Sequence, residues 1–409
     1  MQTPNTYIPG LDGIRAVAVL IVLLFHAGLC DAGWVGVQLF FVLSGYLITS
    51  NLLAAPRASF FVFFGRFFWR RSLRIFPVYF SFLIIAAAVF RWRGAPASFA
   101  ADWPYLISFT ANFARLRDGD LGSMVVHFWS LALEEQFYWL WPILLYFLGT
   151  RRLKLAITAV LVLSPLVRLT LFLALRHSGH SPAYAGRLVY VLPFGQLDAF
   201  AAGAAIRVWT LTRVERAGPL FLAAIVLAGV AGLANLFVSH LLHSGESVWA
   251  LGYPMYLVHG FQYVWGYSLL NAIAALAIIC VIQARGASPW LGRPTLVRLG
   301  RISYGMYAYH PPVYALVTWV SARWDVHLNR VFCFALFLPL VILIAQVSFR
   351  YLESPFLRWK EFWEGGRAPR GGDPRAQPHH TRQRTDPRAV STTAARERPA
   401  ASSDNSRSA

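Results

Sequence analysis

An arginine and a histidine stand at the two ends of an apolar run near the start of the chain. Arg15 and His26 are separated by ten residues, all of them hydrophobic. On an α-helix, residues eleven apart differ by about 20° around the axis and about 16 Å along it, so both side chains lie on one face. Ionisable groups at membrane depth cost roughly 2.5–3.5 kcal/mol each, and they mark functional positions. An imidazole there can act as a general base, and a guanidinium can bind an anion.

Two adjacent carboxylates, Glu134 and Glu135, follow Trp129-Ser130-Leu131 in a later apolar run. We expect one of them to lie about eight residues into its span, roughly 12 Å below the outer surface and level with His26. A carboxylate at that depth would orient the imidazole and stabilise its charged form. The alternative for each carboxylate is to neutralise an arginine in helix packing. For His26 the alternative is a satisfied polar residue in a bundle core.

Arginines and aromatic residues alternate at helical spacing between residues 64 and 77. Arg71 and Arg74 are three apart, so one polyphosphate could contact both. The alternative is a juxtamembrane helix whose arginines bind anionic lipid.

Several further polar residues lie in or beside apolar runs. Ser44, Ser303 and Tyr304 could donate hydrogen bonds to a developing oxyanion. For Ser303, Tyr304 and Glu353, structural roles explain the sequence at least as well. Asp198 and His310 could also be packing or capping residues.

The composition predicts a polytopic membrane protein. Of the 409 residues, 57% are hydrophobic and 13% are charged, whereas soluble domains carry about 25% charged residues. The net charge of +19 comes mostly from basic residues between apolar runs. That pattern indicates membrane orientation and excludes a nucleic-acid partner. The three cysteines, Cys30, Cys280 and Cys333, are scattered and predict neither a metal site nor a disulfide framework.

Ten stretches are long enough to cross a bilayer as helices, since a span needs about 20 apolar residues. The predicted inner loops hold twice as many basic residues as the outer loops, which places the N- and C-termini in the cytoplasm. The all-α bundle is therefore predicted to have ten spans, at about 14–30, 34–53, 75–92, 126–149, 155–175, 187–209, 219–239, 263–284, 302–321 and 331–352.

Two segments fall outside this plan. The aromatic stretch 246–262 is interpreted as a re-entrant or interfacial piece, with an eleventh span as the alternative. Residues 365–409 are basic and rich in Gly, Pro, Ser and Ala, with almost no large apolar residues, so they cannot bury enough apolar surface to fold. The predicted domains are a membrane domain over 1–356 and a disordered cytoplasmic tail over 357–409.

These motifs, taken together and in this order, resemble the integral-membrane acyltransferase family 3, which O-acylates surface glycans and some antibiotics. The likeness covers about residues 7–356. It is carried by Leu11-Asp12-Gly13-Ile14-Arg15, the Arg15-to-His26 spacing, Gly36 to Gly45, Arg71-Ser72-Leu73-Arg74-Ile75, Trp129 to Tyr138, Arg301-Ile302-Ser303-Tyr304 and Tyr351-Leu352-Glu353-Ser354-Pro355.

The resemblance implies a ten-helix enzyme of the bacterial inner membrane. It implies an acyl-coenzyme A donor, most simply acetyl-CoA, and no permanently bound cofactor or metal. The acceptor would be a hydroxyl of a glycan or glycolipid, with lipopolysaccharide, exopolysaccharide, a secreted glycan and a macrolide-like molecule all open. By motif, His26 resembles the catalytic base and Arg15 its partner. Arg71 and Arg74 resemble the phosphate ligands, and Glu134 or Glu135 a functional carboxylate.

Two other function classes remain. A proton-coupled transporter also uses intramembrane His, Arg and Glu. A membrane receptor or interaction protein could use the same groups to join helices. Only the enzyme modifies an acceptor, so transfer of labelled acetyl to a glycan separates the three classes.

Overall fold

The computed structural model describes residues 7–56, 58–94, 97–116, 124–242, 247–284, 290–325 and 328–359. Every regular element in these ranges is helical, which confirms the all-α fold class. The α-helices are α1 (Pro9–His26), α2 (Val35–Ala54), α3 (Phe60–Arg93), α4 (Ala97–Ile107), α5 (Ala111–Ala114), α6 (Phe128–His177), α7 (Pro182–Val191), α8 (Pro193–Val208), α9 (Ala217–Leu241), α10 (Gln262–Gln283), α11 (Pro294–Arg323), α12 (Arg330–Ser348) and α13 (Ser354–Arg358).

Seven of the described helices are long and apolar enough to cross a bilayer, or eight if the bent pair α7 and α8 forms one span. This supports a multi-pass membrane protein. The predicted number of ten spans and the cytoplasmic termini stay predictions. Residues 360–409, which hold nearly all of the predicted disordered tail, lie outside the described ranges.

Helix α6 contains a break. Its 50 residues would extend about 75 Å as one straight helix, more than twice the thickness of a hydrocarbon core. Gly149 has φ 64° and ψ 167°, a conformation that is essentially restricted to glycine. The helix is thus two segments that meet at Gly149, where the sequence predicts the end of one span and the approach to the next.

Helix α3 is longer than predicted. It runs for 34 residues without interruption, so the arginine-rich stretch expected as an inner loop is helical and continuous with the third predicted span. Arg71 and Arg74 therefore have fixed positions on the helix that also enters the bundle.

Close glycine contacts hold α2 against α8. A Cβ on Gly45 would overlap the carbonyl oxygen of Phe200, and a Cβ on Gly203 would overlap that of Val42. Small residues of this kind let two membrane helices approach at backbone distance. The contact places Ser44, the neighbour of Gly45, in the interior of the bundle.

A buried ion pair joins three further elements. Arg168, on the second segment of α6, is fully buried and its Nη1 lies 2.9 Å from Oδ2 of Asp198 on α8. Its Nη2 donates to the carbonyl oxygen of Val264 at 2.9 Å and to the Ser268 hydroxyl at 2.6 Å, both on α10. Asp198 thus has the packing role that its sequence context allowed.

The aromatic segment is not a span over its described residues 247–261. It contains one short 3₁₀ turn, Val248–Ala250, followed by an irregular path in which Leu251, Tyr256, Leu257 and Phe261 all have positive φ. This matches the re-entrant or interfacial interpretation.

Candidate active site

Seven of the nine predicted site residues line one cavity, here called the arginine cavity. The cavity lies between α1, α2, α3, α6 and α11. The seven residues are Arg15, Ser44, Arg71, Arg74, Glu134, Ser303 and Tyr304.

Arg15 is held by a neighbour on its own helix. Its Nη1 lies 2.5 Å from Oδ1 of Asp12, one turn earlier. The Tyr7 hydroxyl donates to Oδ2 of the same carboxylate at 2.7 Å. Partial burial raises the pKa of that hydroxyl, so Tyr7 keeps the proton that it donates. Asp12 therefore fixes the guanidinium at the edge of the cavity, although the sequence pattern assigned Asp12 no role.

Arg71 and Arg74 lie one turn apart on α3, and both face the cavity. The guanidinium carbon of Arg71 stands 5.4 Å from the ring centroid of Tyr138, within cation–π range. A residue that only anchored the chain to lipid would face outward, as the exposed Arg70 does on the same turn. With three guanidiniums against the carboxylate of Glu134, the lining is net positive and suits an anion.

The structure separates the two adjacent carboxylates. Glu134 lines the cavity and accepts hydrogen bonds from the Ser44 hydroxyl at 2.7 Å and the Tyr138 hydroxyl at 3.2 Å. Glu135 is 2% exposed and does not line the cavity. Its Oε1 has no hydrogen-bond partner among the described residues. Of the two carboxylates, Glu134 is therefore the one that faces the arginine cavity.

The three predicted oxyanion donors already have acceptors. Ser44 donates to Glu134, Ser303 donates to the carbonyl oxygen of Gly300 at 2.8 Å, and Tyr304 donates to that of Ile75 at 2.9 Å. A hydroxyl carries one proton, so none of the three offers a free donor as it stands. The guanidiniums of the cavity, with five N–H groups each, are better placed to donate to an oxyanion.

His26 lines a second cavity, here called the histidine cavity, together with His127, Arg115, Tyr190 and Tyr256. The ring nitrogen Nδ1 lies 2.9 Å from the carbonyl oxygen of Val22. Because a carbonyl can only accept, Nδ1 carries the proton of the neutral ring and Nε2 keeps its lone pair. His26 therefore has the tautomer that a base acting through Nε2 requires.

Two more histidines lie near His26. The ring centroid of His310 lies 4.5 Å from that of His26, and the His127 ring lies 5.1 Å from His310. Each forms one hydrogen bond from a ring nitrogen to a backbone carbonyl oxygen. His310 Nδ1 donates to the carbonyl oxygen of Tyr307, and His127 Nε2 donates to that of Ala308. Their other nitrogens, His310 Nε2 and His127 Nδ1, are buried and have no partner within the described chain.

The predicted pairing of His26 with Glu134 or Glu135 is wrong. Glu134 belongs to the arginine cavity, whereas the ring contacts of His26 are with Phe25 and His310. The difference arises from the depth at which α6 begins relative to His26. Helix α6 begins at Phe128, so His127 stands beside His26, and Glu134 lies seven residues further along, about 10 Å deeper.

Arg15 and His26 share a face of α1 as predicted, but each lines a different cavity. Two further helices repeat this division. His127, at the start of α6, lines the histidine cavity and Glu134 the arginine cavity. On α11, His310 packs on His26 while Ser303 lines the arginine cavity. The sequence signal that could have identified His127 is its seven-residue spacing to Glu134, close to two helical turns.

Known proteins resemble the chain over most of its length. A family model described as "Acyltransferase domain" matches residues 8–349. YrhL of Bacillus subtilis (strain 168), named provisionally as a peptidoglycan O-acetyltransferase, is 30% identical over 386 residues, which cover 86% of this chain and 55% of that protein. O-acetyltransferase OatA of Staphylococcus aureus (strain NCTC 8325 / PS 47) is 27% identical over 382 residues, 88% of this chain and 59% of that protein. The chain thus spans a little over half the length of these relatives. No solved structure gives a significant match.

Proposed function

The chain belongs to the acyltransferase family whose model it matches, and on that premise we propose that it transfers an acyl group, most simply acetyl, from acyl-coenzyme A to a hydroxyl of a glycan or glycolipid. The observation that carries the proposal is the pair of cavities in one bundle. One is lined by arginines and the other by a histidine with a free Nε2.

The arginine cavity suits the donor. Coenzyme A carries phosphates, and guanidiniums donate to phosphate oxygens in bidentate geometry. Arg71 and Arg74 face the same cavity from adjacent turns of α3, so their positive charges act on one ligand. Arg15, fixed by Asp12, would add a third guanidinium to the site that binds the phosphates of the donor.

The histidine cavity suits the acceptor. Its aromatic lining, which includes Tyr190 and Tyr256, offers apolar ring faces beside polar groups, the composition expected of a small-molecule site. The names of the relatives make peptidoglycan one acceptor to test. Lipopolysaccharide, exopolysaccharide and secreted glycans are tested beside it.

In this mechanism His26 Nε2 removes the proton of the acceptor hydroxyl while the hydroxyl oxygen attacks the thioester carbon. The new C–O bond forms, the C–S bond breaks, and the coenzyme leaves as a thiolate. The imidazolium then returns its proton to solvent or to the thiolate. General-base assistance of this kind is worth about 10²–10⁴-fold in rate.

The test uses the purified full chain in proteoliposomes with radiolabelled acetyl-CoA and isolated cell-wall or lipopolysaccharide fractions. We expect label in one fraction, and we expect the His26→Ala variant to lose about 10²-fold or more of the rate. Full transfer by His26→Ala would contradict the base assignment. Accumulation of an unmodified solute inside the vesicles, with no labelled glycan, would favour the transporter.

A further inference from the structure

The two cavities meet at a thin wall. Among the residues that line them, Val37 on α2 and Tyr307 on α11 belong to both. Both side chains are buried, with 7% and 8% of their surface exposed. These two side chains therefore stand where the linings of the two cavities meet.

Tyr307 is fixed by hydrogen bonds at its far end. Its hydroxyl lies 2.5 Å from Oγ of Ser130 and 3.1 Å from the carbonyl oxygen of His127. The Ser130 hydroxyl lies 3.1 Å from the same carbonyl oxygen. Two hydroxyl protons serve three contacts, so one hydroxyl can turn away while the other keeps the carbonyl satisfied. This arrangement holds the ring in place without requiring every contact.

The chemistry of the reaction explains why such a wall is needed. The donor thioester and the acceptor hydroxyl approach from opposite cavities. If these cavities were joined at rest, water from the acceptor side would reach the thioester. Its oxygen would bond to the acyl carbon, the C–S bond would break, and free carboxylate, thiol and a proton would be released without transfer. Exclusion of water is a general way in which active sites suppress such hydrolysis.

We propose that Tyr307, together with Val37, is the partition between donor and acceptor, a positioning residue that decides between transfer and hydrolysis. This inference rests on the proposed function for its chemical meaning. The partition itself is a property of the bundle and can be measured without any acyl donor.

The first experiment measures access across the wall. In a background in which Cys30, Cys280 and Cys333 are replaced by serine, Ser44→Cys places a thiol in the arginine cavity. A membrane-impermeant methanethiosulfonate reagent is applied separately to the two faces of proteoliposomes. With Tyr307 present, we expect labelling from one face only. With Tyr307→Ala, labelling from the opposite face should increase by about tenfold or more, because the side chain that excludes solute is gone.

Three variants control this measurement. Tyr307→Phe keeps the ring and loses only the hydroxyl contacts, so its opposite-face labelling should stay below that of Tyr307→Ala, which separates the ring from the hydroxyl. Val37→Ala opens the other half of the wall and should also increase opposite-face labelling. It replaces Tyr307→Ala as the test if that variant does not fold. Met255→Ala enlarges the histidine cavity at a residue that does not line the arginine cavity and should admit no reagent. Equal labelling from the opposite face in the parent, Tyr307→Ala and Val37→Ala proteins would overturn the partition.

The second experiment measures acetyl-CoA hydrolysis without acceptor. We expect Tyr307→Ala to hydrolyse the thioester about fivefold or more faster than Tyr307→Phe. If labelling changes as expected but no variant consumes acetyl-CoA, the partition stands and the assigned donor fails. If acetyl-CoA is consumed while neither labelling nor hydrolysis depends on Tyr307, the partition fails and the proposed function stands.

Discussion

The Ser44 hydroxyl donates a hydrogen bond of 2.7 Å to Oε1 of Glu134, and so joins α2 to α6 inside the arginine cavity. A second donor, the Tyr138 hydroxyl, holds the other carboxylate oxygen at 3.2 Å. Tyr138 also lies under the guanidinium of Arg71. The carboxylate is thus oriented by two hydroxyls beside the arginine expected to bind phosphate.

Glu134→Gln tests the charge of this group. The amide keeps an oxygen for Ser44 but places an NH₂ group, which can only donate, where the carboxylate accepts from the Tyr138 hydroxyl. Tyr138 then loses the bond that holds it beside Arg71. We expect kcat/KM for acetyl transfer to fall by about tenfold or more, a loss of transition-state stabilisation near 1.4 kcal/mol. Glu135→Gln, one residue further and outside the cavity, should cost less. A larger loss for Glu135→Gln than for Glu134→Gln would contradict the assignment.

Arg71→Ala combined with Arg74→Ala tests donor binding. Each guanidinium offers charge-assisted hydrogen bonds worth about 1.5–3 kcal/mol, so we expect the KM for acyl-CoA to rise by about tenfold or more. The matched control is Arg70→Ala, which removes an exposed arginine from the same helix. An unchanged KM in the double variant, with normal insertion, would return these residues to the lipid-anchor alternative.

The buried pair of Arg168 and Asp198 should contribute to assembly rather than to chemistry. Arg168→Met leaves the Asp198 carboxylate without its cation, which typically costs about 3–5 kcal/mol when the pair is buried. We expect thermal aggregation in detergent to have a lower midpoint temperature. Size-exclusion chromatography of heated samples measures that midpoint. The double variant Arg168→Met with Asp198→Leu removes both charges and should recover part of the loss. Equal midpoints for the single variant and the parent would disprove the role.

Gly45→Val tests the close contact of α2 and α8. The added side chain would overlap the Phe200 carbonyl oxygen, where backbone cannot move aside easily. Overpacking of this kind costs about 1–3 kcal/mol. We expect a lower thermal midpoint and loss of transfer, because Ser44 is displaced. Gly229→Val on α9, where the Cβ would meet nothing, is the matched control and should leave the midpoint unchanged.

The sequence predicted the helical class and identified seven residues that line the arginine cavity, but it did not predict that they share one cavity. The reason is that ionisable and hydroxyl residues inside apolar runs are few, and each has a specific place in the structure. It paired His26 with the wrong partner because residue spacing gives depth along one helix but not the level at which a neighbouring helix begins. A shift of seven residues in α6 replaces Glu134 by His127 at the level of His26.

The wall between the cavities could not be predicted for a related reason. Val37 and Tyr307 are ordinary apolar and aromatic residues in apolar helices, and nothing in their spacing distinguishes them. Their position depends on how α2 and α11 approach each other. Asp12 was overlooked for a simpler reason, because it is outside the hydrophobic run and its contacts with Tyr7 and Arg15 are local.

The break at Gly149 gives α6 a joint. The segment before it carries Glu134, and the segment after it carries Arg168, which is anchored to α8 and α10. A rigid rod of that length would carry any displacement at one end through to the other, whereas a joint absorbs it. A displacement of the segment that carries Glu134 is therefore not transmitted rigidly to the segment that carries Arg168.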